Sequence, residues 1–96
     1  MQEQVVCDQA VKLISLISNE TRLRILCVLS QSDFCVSEIA QRVGGKNSNI
    51  SQQLQILTLA GCLHKRRVEK SVIYSLTDER IRRVLGFLRT EFGVEH

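Results

Sequence analysis

Lys46-Asn47-Ser48-Asn49-Ile50-Ser51-Gln52-Gln53-Leu54-Gln55-Ile56-Leu57 reads as a short helix with one apolar face and one face of hydroxyls and amides. Ile50, Leu54 and Leu57 share a stripe, which leaves Ser48, Ser51, Gln52 and Gln55 on the open side. Asn47 or Ser48 is the expected cap and Gly61 the expected stop. The segment lies inside a longer one without carboxylates. From Ile39 to Val68, thirty residues contain no Asp or Glu, yet they include Arg42, Lys46, Lys65, Arg66 and Arg67. A surface emptied of acids suits a polyanion, and amide side chains suit base edges.

Upstream, Val36, Ile39, Ala40 and Val43 pattern a short helix stopped by Gly44-Gly45. Before it, Ser18 or Asn19 can cap a helix whose Leu23, Leu26, Cys27 and Leu29 point inward, with Arg22 and Arg24 outward; Asp33 and Phe34 follow as loop. The chain begins with Val6, Ala10, Leu13, Ile14 and Ile17 at helical spacing, a helix over about residues 3–18. Downstream, Leu63 to Val68 and Ser71 to Leu76 are β-rich runs separated by Glu69-Lys70, a hairpin whose turn lacks Gly, Asn or Asp. Thr77 or Asp78 then caps a last helix, over about residues 78–93, with Ile81, Val84, Leu85, Leu88 and Phe92 on one face. Three helices, a Gly turn, a fourth helix, a hairpin and a fifth helix make a mainly α (α+β) winged helix-turn-helix. The helix-turn-helix covers about residues 36–60 and the wing about 63–76.

Ninety-six residues make one domain, 1–96, with an ordinary apolar fraction. The net charge of +3 is uneven: residues 42–83 hold nine bases against three acids, and the flanks are slightly acidic. That asymmetry points to a nucleic-acid face, against the blander reading of a solvated basic surface. No membrane-spanning or secretory segment is expected, since Lys12 interrupts the first apolar run; a cytoplasmic location fits. Cys7, Cys27, Cys35 and Cys62 are then expected as reduced thiols, and no C-x-x-C pair suggests a zinc finger.

Four segments, in order and without gaps over about residues 10–90, resemble the ArsR/SmtB family of bacterial repressors. Asn19-Glu20-Thr21-Arg22-Leu23-Arg24-Ile25-Leu26 is similar to the family's D-P-T-R-L-R-I-L, and Asp33-Phe34-Cys35-Val36-Ser37-Glu38-Ile39-Ala40 to E-L-C-V-x-E-L-A. Ser48 to Leu57 resembles the recognition helix S-x-x-S-x-H-L-x-x-L. Gly61-Cys62-Leu63 and Val72-Ile73-Tyr74-Ser75-Leu76 resemble A-G-L-V and the wing's V-x-Y-x-L. The resemblance implies a homodimer built by the first and last helices, and their apolar stripes are wide for so small a monomer. It also implies a repressor released from a (pseudo)palindromic DNA operator by an effector. Gly86 inside the last helix agrees with close helix approach across the dimer.

The residues expected at DNA are Lys46, Asn47, Ser48, Asn49, Ser51, Gln52, Gln53 and Gln55 on the reading helix, with Lys65, Arg66, Arg67 and Lys70 on the wing. First-turn amides and Ser48 can hold a phosphate, Gln52 and Gln53 can each donate and accept at an adenine edge, and the wing's cations suit backbone phosphates. Any one amide can instead be merely solvated.

The family's effectors are metals or thiol chemistry, and the resemblance gives each familiar sensor only in part. Cys35 stands at the third-helix metal position, where the family has C-V-C, but Ser37 replaces the second cysteine. Cys7 can approach Cys35, which still gives two sulfurs where soft metals want three or more. The last-helix metal positions hold Asp78, Arg80, Glu91 and Val94, with no imidazole; His64 and His96 are isolated. Cys27 matches the first cysteine of the thiol-switch branch, but its partner position falls at about Gly93. Cys27 can equally be a small core residue, as can Cys62. The sensor candidates are therefore Cys35, Cys7 and Cys27, responding to a soft metal, reactive sulfur or an oxidant, with a ligand-independent regulator as the alternative. A winged helix used to bind an acidic protein is the other reading, disfavoured because the amide face has no aromatics. No nucleophile–base set, phosphate loop or carboxylate pair suggests an enzyme.

Overall fold

The structure, a computed structural model, describes residues 2–93. Its elements are α1 (Gln2–Ile17), α2 (Glu20–Leu29), β1 (Phe34–Cys35), α3 (Val36–Val43), α4 (Asn47–Leu59), β2 (Leu63–Val68), β3 (Ser71–Leu76) and α5 (Glu79–Glu91). Asn19 caps α2, its side-chain oxygen accepting from the Arg22 amide at 3.0 Å, and Asp78 does the same for α5 from the Arg80 amide at 2.9 Å. Gly44 and Gly61 stop α3 and α4 with φ of 85° and 86°, a left-handed backbone that any Cβ would strain.

The hairpin has the strands expected, paired from Leu63 with Leu76 to Val68 with Ser71. The sheet nevertheless has three strands, in the order β1-β3-β2. Phe34, expected in a loop, pairs with Tyr74, and Cys35 with Ile73. Two residues are too few to show alternation, and this strand exists only because β3 offers an edge forty residues away in sequence.

The core is built by Ile25, Leu26 and Leu29 of α2, Ile39 and Ala40 of α3, Ile50, Leu54 and Leu57 of α4, then Cys62, Leu63, Tyr74, Leu76, Ile81 and Leu85. The helix-turn-helix is thus fixed to the sheet and to α5 by apolar burial, with no buried polar or charged residue among those described. Arg82 adds a brace, donating to the carbonyls of Ser30 at 3.1 Å and Leu76 at 2.9 Å, so α5, β3 and the end of α2 share one guanidinium.

Helix α1 stands apart. It contributes no buried residue; Leu13, Leu16 and Ile17 lean on the core, whereas Val5, Val6, Val11 and Ile14 are 54–63% exposed. Arg22, expected to point outward, is half-buried and turns back under this helix. Its Nε donates to the Leu16 carbonyl at 2.8 Å and its Nη2 to the Ser15 carbonyl at 3.2 Å. Those are orphan carbonyls of the last turn, so one side chain closes α1 from the next helix.

Candidate nucleic-acid interface

The expected cap of α4 does not form. Asn47 is already helical, Lys46 is the boundary residue in extended conformation, and no side chain caps the first turn. The first amides of α4 therefore point out of the protein at a positive dipole end. Lys46, Asn47, Ser48, Asn49, Ser51, Gln52 and Gln55 are all exposed. By helical spacing Ser48, Gln52 and Gln55 stand on the outer face, opposite the buried Ile50, Leu54 and Leu57.

Gln53 is the exception. It is half-buried on the flank of α4, and its Oε1 accepts from Arg22 Nη1 at 3.1 Å. The sequence reading put it on the DNA face; one step further round the helix brings it against α2 and takes its acceptor for a brace. Two apolar residues join the outer face instead, Ile56 at 39% exposure and Leu59 at 80%. Their spacing, four and seven residues after Gln52, places them on that face.

On the wing, Lys65, Arg67 and Lys70 are exposed and make no ion pair among the described residues. Arg66 differs from its neighbours. Its Nη1 donates to Asp33 Oδ2 at 3.2 Å and to Ser75 Oγ at 3.0 Å, tying β2 to the segment before α3. Arg66 stays exposed on the wing, with its guanidinium held beside Asp33, which the third strand brings within its reach. Arg42 is also engaged, lying 4.0 Å over the Phe34 ring.

The thiols are dispersed. Cys7 is exposed, Cys27 and Cys35 are half-buried, and Cys62 is buried, where desolvation pushes its thiol pKa up. Cys35 Sγ lies 3.3 Å from the hydroxyl of Ser37, the residue standing where the second family cysteine would be. The Cys35 amide donates to Glu38 Oε1 at 2.9 Å, which holds that carboxyl below its ordinary pKa. Among the described residues no three His, Cys, Asp or Glu side chains converge as metal ligands. Asp78 is committed to Arg80, His64 is exposed on β2, and Val94 and His96 lie outside the described residues.

The family described as "Bacterial regulatory protein, arsR family" matches at residues 19–65, which spans α2, α3, α4 and the start of β2. A biofilm growth-associated repressor of Xylella fastidiosa is 31% identical over 85 residues, covering 88% of this chain and 75% of that one. The chain belongs to the arsR family. Like the rest of that family it is a DNA-binding transcriptional regulator and not an enzyme. Solved structures of arsR-type regulators share the whole fold. The transcriptional repressor BigR of Xylella fastidiosa superposes with a TM-score of 0.89 at 28% identity over 99% of each chain. The homodimeric winged helix-turn-helix DNA-binding domain Mb0332 of Mycobacterium bovis gives 0.77 at 25% identity, over 99% of this chain and 94% of that one. No helix among the described residues of this arsR-family chain is long and apolar enough to cross a membrane.

Proposed function

We propose that two copies of this chain form a repressor that places one α4 in each half of a (pseudo)palindromic operator. The observation that carries the reading is the outer face of α4: an uncapped first turn, a row of amides and hydroxyls, and no carboxylate. Gln52 reads bases at the centre of that row, Ser48 and the first amides hold a phosphate, and Lys65, Arg67 and Lys70 grip the backbone. Ile56 and Leu59 suit the methyl groups of thymine. The apolar outer side of α1, together with Phe87 and Phe92 at 62% and 78% exposure, supports pairing through the first and last helices. Relatives named as a repressor and as a homodimeric DNA-binding domain point the same way.

Retention on random duplex with elution by rising salt tests the electrostatic half, and selection from fragmented genomic DNA tests sequence preference. A steep salt dependence with enrichment of inverted repeats is expected. A protein that ignores duplex at low salt yet retains an acidic polypeptide is an interaction module instead.

Control by a soft metal, reactive sulfur or an oxidant acts, in this proposal, on Cys35, Cys7 or Cys27, the thiols that are not buried. Their dispersal favours thiol modification over a soft-metal cluster. Release of DNA by oxidant or persulfide in the parent, lost in the Cys27→Ser/Cys35→Ser double variant, is the expected result. An unchanged response in that variant ends thiol control at these two sites.

A further inference from the structure

Between α1, the end of α4 and the first turn of α5 lies an open cleft of about 730 Å3, within the size range of small-molecule sites. Leu13, Leu16, Ala60 and the buried Cys62 make its apolar part, and no carboxylate lines it. Three cations do: Lys12, Arg22 and Arg80. Arg80 already has its counter-ion, since Nε and Nη2 meet the two oxygens of Asp78 at 3.2 and 2.9 Å. Lys12 and Arg22 have no ion-pair partner among the described residues.

Arg22 is the telling one. It is half-buried, and its guanidinium meets only neutral acceptors, the carbonyls of Leu16 and Ser15 and the amide oxygen of Gln53. A cation drawn out of water without an anion is disfavoured, and a guanidinium with five N–H groups has donors left over after those three contacts. Lys12 and Leu16, one turn apart, share the cleft's flank of α1; Val11 also lines it, at the rim toward Ile14 and the side where a second copy would pack.

We propose that this cleft binds a small organic carboxylate with an apolar body, its head between Lys12 and Arg22, and that Arg22 relays its arrival to α4. The carboxylate competes with Gln53 for the guanidinium. Gln53 is the neighbour of Gln52, so its release removes a brace from the helix that reads DNA. The relay, unlike the site, rests on the DNA-binding reading above.

The site is tested on the whole protein without DNA, by calorimetry and amide chemical shifts. The probes are octanoate, dodecanoate and 2-naphthoate, with 1-octanol and octylamine as neutral and cationic counterparts. Carboxylates should shift the amides of Leu13, Leu16, Ala60 and Cys62. The counterparts, and Lys12→Gln with any carboxylate, should bind about tenfold more weakly. The site is overturned if no carboxylate binds at millimolar concentration, if octanol binds equally well, or if Lys12→Gln changes nothing. Intermolecular nuclear Overhauser contacts from the Lys12 and Leu16 side chains to a second copy, with no probe bound, overturn it too.

The relay is tested by duplex retention. Octanoate should raise the Kd for DNA about tenfold, and Gln53→Ala should abolish that ratio while keeping carboxylate affinity. Carboxylate binding without any effect on DNA overturns the relay alone. A protein that retains no duplex removes the relay with the DNA reading, and the titration still decides the cleft.

Discussion

Asp78 caps α5 and accepts twice from the Arg80 guanidinium, and these contacts hold its carboxyl below the ordinary carboxylate pKa, the Arg80 side-chain hydrogen bonds most of all. A depressed pKa in the folded state means a contribution fully present above the unfolded-state value and lost as pH falls through the folded one. Asp78→Ala should therefore cost about 1 kcal/mol at neutral pH, read by urea denaturation. The gap between parent and variant should close below about pH 4 as the parent's carboxyl protonates. At the DNA face, Gln52→Ala should reduce discrimination between operator and random duplex by about 1–3 kcal/mol, while Arg67→Ala weakens both alike and flattens the salt slope. Equal loss on both duplexes for Gln52→Ala would remove its reading role. Gln52 was legible because its spacing from Ile50 and Leu54 sets its direction. Gln53 and Arg66 were not: each is turned by one polar partner, Arg22 and Asp33, that sits 31 and 33 residues away.

Among the elements, the wing turn carries the clearest local strain. Glu69 has φ of 57°, the left-handed region where a side chain with a Cβ is disfavoured by roughly 1 kcal/mol and where Asn is better tolerated. Glu69→Asn should stabilise the fold by up to about 1 kcal/mol, seen as a higher Tm, and should also strengthen binding to random duplex by removing an acid beside Lys70. A lower Tm would mean the turn is held by something other than its backbone. The hairpin bounds were legible since twelve β-rich residues around a two-residue turn outweigh a poor turn sequence. The cap of α4 was misplaced, because Asn47 and Ser48 are good capping residues, yet Lys46 is the boundary and no side chain caps the helix. An open first turn has no local signature; it is known only once the fold shows what stands in front of it.

At the scale of the molecule, α1 is the element a single copy leaves unfinished. Val11 and Ile14 are 60% and 56% exposed, and a Cβ at Gly86 would meet nothing within 4 Å. Ile14→Glu should shift the protein from dimer to monomer in sedimentation while its unfolding midpoint, measured at low concentration, barely moves. Gly86→Ala should favour helix in α5 by up to about 1 kcal/mol yet weaken dimerisation, if two copies meet closely there. A dimer that tolerates both changes pairs by another face.

What the amino-acid order determined alone was the sequence of elements, the buried stripes and the acid-free reading helix, because these follow from the periods of helix and strand and from the charge of each residue. Family membership was legible for the same reason, in four short patterns set at fixed spacing. The tertiary structure decided what no local period encodes: the third strand, the partners that hold Gln53 and Arg66, the open first turn of α4, and the cleft where Arg22 and Lys12 lack an anion. Each of these depends on which distant polar group arrives within hydrogen-bonding reach. That is settled only when apolar burial has packed the helices together.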